Sequence, residues 1–246
     1  MTTALFHYHL FKNAGTSLDS ILKENFGSRW TTAEFPPEGG DNTKLVSSWI
    51  AENPGMAVFS SHTAMGPLPD VPGLVIIPIL FLRDPIARII SAYQFEAKQT
   101  VDNIGTQLAR NNDLEGYIRA RLDIRNDRQC RNFHTFRLSR FLPGPDPEIV
   151  RARRAIDLLV DKGVLGFVET FDESMQRIAN KIHSAFPDFK WSSVHKNISK
   201  KEETGLSKEF ELILKEVNSD DYALLDHAKV VASRCSVPAS GGSGSE

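Results

Sequence analysis

This chain has little cysteine, no surplus of either charge and no long apolar run, and each shortage removes a class of protein. Cys130 and Cys235 are its two cysteines; they build no disulfide framework and show no metal-ligand spacing, so both read as free thiols of a reducing compartment. With 29 basic against 31 acidic residues the formal charge is -2, so no overall field draws the protein to nucleic acid or to a membrane surface. Any anion site must therefore be local. The longest apolar run, Gly73 to Leu82, is interrupted by Pro78 and is well short of the ~20 residues of a membrane-spanning helix. The first strand follows almost directly on Met1-Thr2-Thr3, which leaves no room for a signal peptide, and the expected location is cytoplasmic. No repeats stand out, and no carboxylate or His/Cys cluster marks a metal site.

What is present is enough for a large core: 246 residues, 41% of them hydrophobic, the material of one large domain or two small ones. Ala4 to Leu22 organises the chain. An apolar aromatic run (Leu5, Phe6, Tyr8, Leu10) gives way to Leu18, Ile21 and Leu22 at one-face helical spacing, so the residues between form a strand-to-helix turn. That turn reads Lys12-Asn13-Ala14-Gly15-Thr16-Ser17. Small residues let the backbone curl its N–H groups toward one point, the helix end adds its positive dipole, and Lys12 adds a full charge. This is a P-loop-like phosphate cradle. It differs from the nucleoside-triphosphate loop GxxxxGK[ST], because Lys12 precedes the glycine and no Gly-Lys pair follows.

Further along, a strand is expected over 29–35, a helix capped by Asp41 or Asn42, a short strand from Met56 to Ser60, and an apolar strand from Leu74 to Leu82. Asp84-Pro85 starts a helix with Ile86, Ile89, Ile90 and Tyr93 on its buried stripe, and Arg88 and Ser91 off it. Residues 103–140 read as helical and rich in arginine, either a solvated face or a face for an anionic acceptor. Nothing there interleaves aromatics as single-stranded nucleic acid would require. A helix through Ile149, Ala152, Ile156 and Leu159 leads to a fifth strand, Val164 to Val168. An Asp172-capped helix, a polar loop over 192–201 and two final helices complete the chain. The pattern is α/β: a single domain over 1–238, with a central parallel sheet flanked by helices. Residues 239–246 form a separate tail of linker composition.

In such folds ligands bind beyond the carboxyl ends of the strands, where Lys12, His62 and Arg83 are all expected. The segment His9-Leu10-Phe11-Lys12-Asn13-Ala14-Gly15-Thr16-Ser17 and the segment Arg83-Asp84-Pro85-Ile86-Ala87-Arg88-Ile89-Ile90-Ser91-Ala92-Tyr93 together resemble the two nucleotide-binding elements of the sulfotransferases that use 3′-phosphoadenosine 5′-phosphosulfate, particularly their carbohydrate branch. The second segment matches at every defined position. In the first, Phe11 stands where that family has proline, and Asn13 where it has threonine or a small residue. Weaker matches at Ser61-His62, at Asn126 to Arg131 and at Gly166 to Glu169 extend the likeness over most of residues 4–201.

The resemblance implies that Lys12 and the groups from Asn13 and Ala14 through Gly15, Thr16 and Ser17 hold the 5′-phosphosulfate. Arg83 and Ser91 then hold the 3′-phosphate, and a late loop at Lys196-Asn197 closes over the nucleotide. It implies a hydroxyl acceptor, with a saccharide the favoured class, and no metal. The alternatives from the residues alone are a kinase or nucleoside-triphosphatase using the Lys12 cradle, and a non-catalytic nucleotide-binding module. For the general base, His62 is the leading candidate, with Glu169 and His195 as competitors. His7 and His9 alternate on one strand face, but without an evident third ligand they read as packing.

Overall fold

The computed structural model describes residues 2–36, 38–193 and 205–234. β1 (Thr2–Tyr8) runs through the middle of the molecule and leads into helix α1 (Gly15–Phe26). The chain then makes β2 (Trp30–Thr32), α2 (Thr43–Glu52), β3 (Val58–Ser61), β4 (Leu74–Leu82) and α3 (Pro85–Glu96). Three shorter helices follow: α4 (Ile104–Asn111), α5 (Leu114–Asp123) and α6 (Phe133–Ser139). The last elements are α7 (Glu148–Lys162), β5 (Val164–Phe167), α8 (Phe171–Ile182), α9 (Lys208–Val217) and α10 (Ser219–Arg234). The strands form one sheet in the order β2-β3-β1-β4-β5, and every pairing is parallel. The expected α/β domain with a helix-flanked parallel sheet is therefore present.

Alternation along β1 explains how both faces are covered. Ala4, Phe6 and Tyr8 point into a core shared with α2, α7 and α10, while Leu5 points to the opposite side against Leu18 and Leu22 of α1 and Met175, Ile178 and Ile182 of α8. A third cluster, built on Ile89, Tyr117, Phe210 and Leu214, joins α3 to α5 and α9.

Strand order determines where a site can form. From β1 the chain turns toward β2 and β3, whereas from β4, its neighbour on the other side, it turns toward β5. Connections that leave adjacent strands in opposite directions open a crevice at their carboxyl ends. The loop after β1 and the loop after β4 line that crevice.

Some expected boundaries move. The second strand is confined to Trp30–Thr32. Helix α8 has Thr170 at its N-cap, with Asp172 inside the first turn. Arg88 is not off the buried stripe: it is 1% exposed, under the Phe133 ring, and one terminal nitrogen donates to the Gln129 carbonyl. The arginine-rich stretch is likewise not one open face. Arg121 is buried between Glu96 and Asp127, Arg131 donates to the Leu122 carbonyl and Arg128 pairs with Glu148. These cations are committed to holding the helices together.

Candidate functional site

The turn after β1 is tightly wound. Lys12 (φ 62°) and Ala14 (φ 59°) both take left-handed backbone, a conformation that costs a residue with a β-carbon roughly 1–2 kcal/mol. Such strain persists where the surroundings impose it, often at ligand sites. Asn13 anchors the turn from within. Buried at 1% exposure, it donates from Nδ2 to the Phe11 carbonyl and meets His134 Nε2 through Oδ1 at 2.9 Å. His134 faces Asp221, whose carboxylate accepts the backbone N–H groups of His134 and Thr135 at the head of α6. Burial alone would raise the Asp221 carboxyl, but its bonds to His134 and Thr135 hold it below the usual range. The Asn13 side chain is thus directed into the fold rather than toward a ligand.

Helix α1 starts without a side-chain cap and without an acidic residue in its first turn, so its positive end is uncompensated. Thr16 is exposed there and Ser17 half-buried. Lys12 is half-buried, with Nζ 4.2 Å from the centre of the Phe95 ring. Burial and, secondarily, the Arg83 cation lower its ammonium below the ordinary range. Arg83, immediately after β4, donates from Nη1 to the Lys12 carbonyl at 3.2 Å. Asp84 caps α3 by accepting the Ala87 N–H at 2.8 Å, and Glu169 accepts the Asp84 N–H at 2.7 Å. Ser91, on α3, is half-buried, and its hydroxyl has no partner among the described residues. His195, Lys196 and Asn197 lie outside the described residues, as does the tail from Cys235 onward.

Two histidines meet on the other side of β1. Tyr8 pairs in register with Ser61, and the His9 N–H donates to the Ser61 carbonyl at 3.0 Å. The residues that follow, His9 and His62, therefore extend side by side, with ring centres 3.9 Å apart.

The two rings engage different carboxylates, Asp19 for His9 and Glu34 for His62. His62 Nδ1 is 2.6 Å from Glu34 Oε1, while Thr63 Oγ1 donates to Glu34 Oε2 at 2.8 Å. Burial would raise Glu34, but these bonds outweigh it and hold the carboxyl below its usual range. An ionised carboxylate only accepts, so the hydrogen belongs to His62 Nδ1 and Nε2 is left for chemistry. The His62 side chain is 51% exposed, open to solvent. Arg137 fixes the segment by donating to the His62 and Ala64 carbonyls at 3.2 and 3.1 Å. Burial lowers the Arg137 guanidinium to about 10, against the opposing pull of Glu34 and Tyr8.

Asp19, on α1, is shared between the strand histidines: His7 Nδ1 lies 2.8 Å from Oδ1 and His9 Nδ1 2.9 Å from Oδ2. Burial would raise the Asp19 carboxyl, yet the bonds from His7 and His9 reverse this and hold it well below the ordinary range. His7 is fully buried; burial pushes its imidazole below the usual value against the attraction of Asp19. One ring nitrogen of each histidine and one Asp19 oxygen all lie within 4.8 Å of one another. The third partner that the alternation of His7 and His9 lacked is thus Asp19, which engages each ring through a separate oxygen. Glu34 and Asp19, the carboxylates behind the histidines, are residues of the site that the sequence does not single out. Each lies on a different element from its histidine, and only the α/β register unites them.

No helix among the described residues is long and apolar enough to cross a membrane. Cys130 is buried, and burial pushes its thiol up to about 12, so it is inert as a nucleophile. No family model matches the sequence. The chain is 38% identical over 227 residues to an uncharacterized protein of Archaeoglobus fulgidus, an alignment that covers 90% of this chain and 89% of the archaeal one.

Proposed function

This chain belongs to the same family as that Archaeoglobus fulgidus protein, and from its own site we propose that it is a sulfotransferase, moving the sulfuryl group of 3′-phosphoadenosine 5′-phosphosulfate to a hydroxyl, with a saccharide as the favoured acceptor. The observation that carries the reading is the meeting of two cation-bearing loops at the switch point of the sheet: Arg83, after β4, donates to the carbonyl of Lys12, after β1. A nucleotide phosphorylated at both the 5′ and 3′ positions needs two such loops side by side. The uncapped head of α1, with Gly15, Thr16 and Ser17, suits the 5′ end, and Arg83 with Ser91 suits the 3′-phosphate.

His62 supplies the base. As the acceptor oxygen attacks sulfur, its proton passes to His62 Nε2; the new S–O bond forms as the bond from sulfur to the bridging phosphate oxygen breaks, and that oxygen keeps the electron pair. Lys12 stabilises the charge that collects there. Glu34 holds His62 in the orientation and tautomer the step requires. Glu169 is less suited as a base, because its carboxylate already accepts the Asp84 N–H. A cytoplasmic setting belongs to the same reading.

Binding of the desulfated product tests it. A ligand at 100 times its Kd stabilises the fold by about 2.7 kcal/mol, a rise of roughly 2–4 °C per kcal/mol for a domain of this size. 3′-Phosphoadenosine 5′-phosphate should raise Tm in this way and ATP should not. Stabilisation by ATP alone would instead favour a kinase or nucleoside-triphosphatase.

A further inference from the structure

His9 has an unusual position for a strand-end residue. It is 8% exposed, its Nδ1 is bonded to Asp19, and its ring edge lies directly against the first residue of α1. A β-carbon placed on Gly15 would come within 2.0 Å of His9 Cδ2 and 2.2 Å of Nε2. Glycine at position 15 is what lets the imidazole reach the helix head. Asp19 accepts at Nδ1, so Nε2 is the one nitrogen of the ring whose protonation can change, and no hydrogen-bond partner for Nε2 is found among the described residues. A nine-tenths-buried imidazole thus aims an unpartnered nitrogen at the uncapped, positive end of α1.

We propose that His9 is an anion-contacting residue of this site: it takes up a proton at Nε2 when an oxyanion binds at the head of α1 and donates it to that anion, with Asp19 as its positioning residue. The inference rests on the proposed function for the identity of the anion, but its physics needs only an oxyanion at that place.

The charges around the ring agree with this division. Asp19 on α1 is the carboxylate in contact with His9. On its own strand His7 shares Asp19, and burial pushes the His7 imidazole below its ordinary value against the pull of that carboxylate. After β3, the His62 ring packs tilted against His9, with Glu34 on its Nδ1 and Arg137 on its carbonyl. The turn itself carries Lys12, whose carbonyl accepts from Arg83. Like charges on two rings this close would repel. An acid at the donor nucleotide and a base at the acceptor can then coexist 3.9 Å apart.

The test is calorimetry on the full chain near pH 7.5, with 3′-phosphoadenosine 5′-phosphate titrated in two buffers of different ionisation enthalpy. The buffer dependence counts protons. Wild type is expected to take up a substantial fraction of a proton. His9→Gln and Gly15→Ala, the second of which displaces the ring without removing it, should lose that uptake and bind at least ~10-fold more weakly, the loss of one hydrogen bond to a charged group. His62→Gln should keep the uptake. Nitrogen NMR of the histidine side chains gives a variant-free check: on ligand addition, His9 Nε2 should move from its unprotonated to its protonated shift. Tight binding of the nucleotide with no His9-dependent uptake would overturn this inference and leave the sulfotransferase reading standing. Weak nucleotide binding, but His9-dependent uptake with inorganic pyrophosphate or sulfate, would do the reverse. Failure of all three anions to bind would overturn both.

Discussion

The Arg83 guanidinium donates to the carbonyl of Lys12 at 3.2 Å across 71 positions of sequence. That bond ties together the two loops at the carboxyl ends of adjacent strands and gives Arg83 two potential tasks: bracing the Lys12 turn and reading a phosphate.

Arg83→Ala separates these tasks. If Arg83 contacts the 3′-phosphate, the variant binds 3′-phosphoadenosine 5′-phosphate about 1.5–3 kcal/mol more weakly, the range for a hydrogen bond to a charged group. Adenosine 5′-phosphosulfate, which lacks that phosphate, should be nearly unaffected. Equal losses for both would assign Arg83 to the Lys12 carbonyl alone.

Lys12→Ala should lower kcat by at least ~10²-fold, the effect of removing one donor to a developing oxyanion. In the proposed reaction the charge matters most as the bridging oxygen departs, so the loss should fall on kcat. A raised KM with kcat intact would make Lys12 a uniform binder.

His62→Ala should retain nucleotide binding and lose about 10²–10⁴-fold in kcat, the usual contribution of a general base. Glu34→Gln should act in the same direction and less, by at least ~10-fold, because the base remains but loses its carboxylate partner. Glu34→Gln with unchanged turnover would show that the 2.6 Å contact to His62 plays no part in the reaction.

The sequence made much of this legible, and the limit has a physical form. Local signals were sufficient wherever one segment makes its own structure: the apolar β4 run, Asp84-Pro85 at the start of α3, and the small residues of the 12–17 turn. Pairings that depend on register were not readable. Glu34 is 28 residues from His62, and Asp19 is on a helix that crosses back over β1; nothing in spacing announces either contact. The arginines of 119–140 misled for the same reason. Composition shows how many cations a stretch has, while the fold decides that Arg121 is enclosed by Glu96 and Asp127 and that Arg137 holds the His62 loop.

His7 should make stability depend on pH between pH 7 and 5. Its folded value is lowered by burial, so as pH falls below the ordinary histidine value of about 6.5 the unfolded chain takes the proton first and the fold loses stability. One such group contributes at most ~1.4 kcal/mol per pH unit. The lowered carboxyls of Asp19 and Asp221 act in another window: their stabilisation is complete above about pH 5 and is lost progressively on further acidification. Urea unfolding of His7→Gln should accordingly show a flatter stability profile from pH 7 to 5 than wild type. An equally steep profile would place the acid sensitivity elsewhere.

The most direct measurement is sulfuryl transfer itself. Purified chain is mixed with sulfur-labelled 3′-phosphoadenosine 5′-phosphosulfate and a panel of saccharides, and label is followed into the acceptor alongside His62→Ala. The account predicts label on a saccharide hydroxyl, formed in step with 3′-phosphoadenosine 5′-phosphate and reduced about 10²-fold or more in the variant. Tight binding of the donor with no transfer to any acceptor, or transfer at the same rate by His62→Ala, would contradict it.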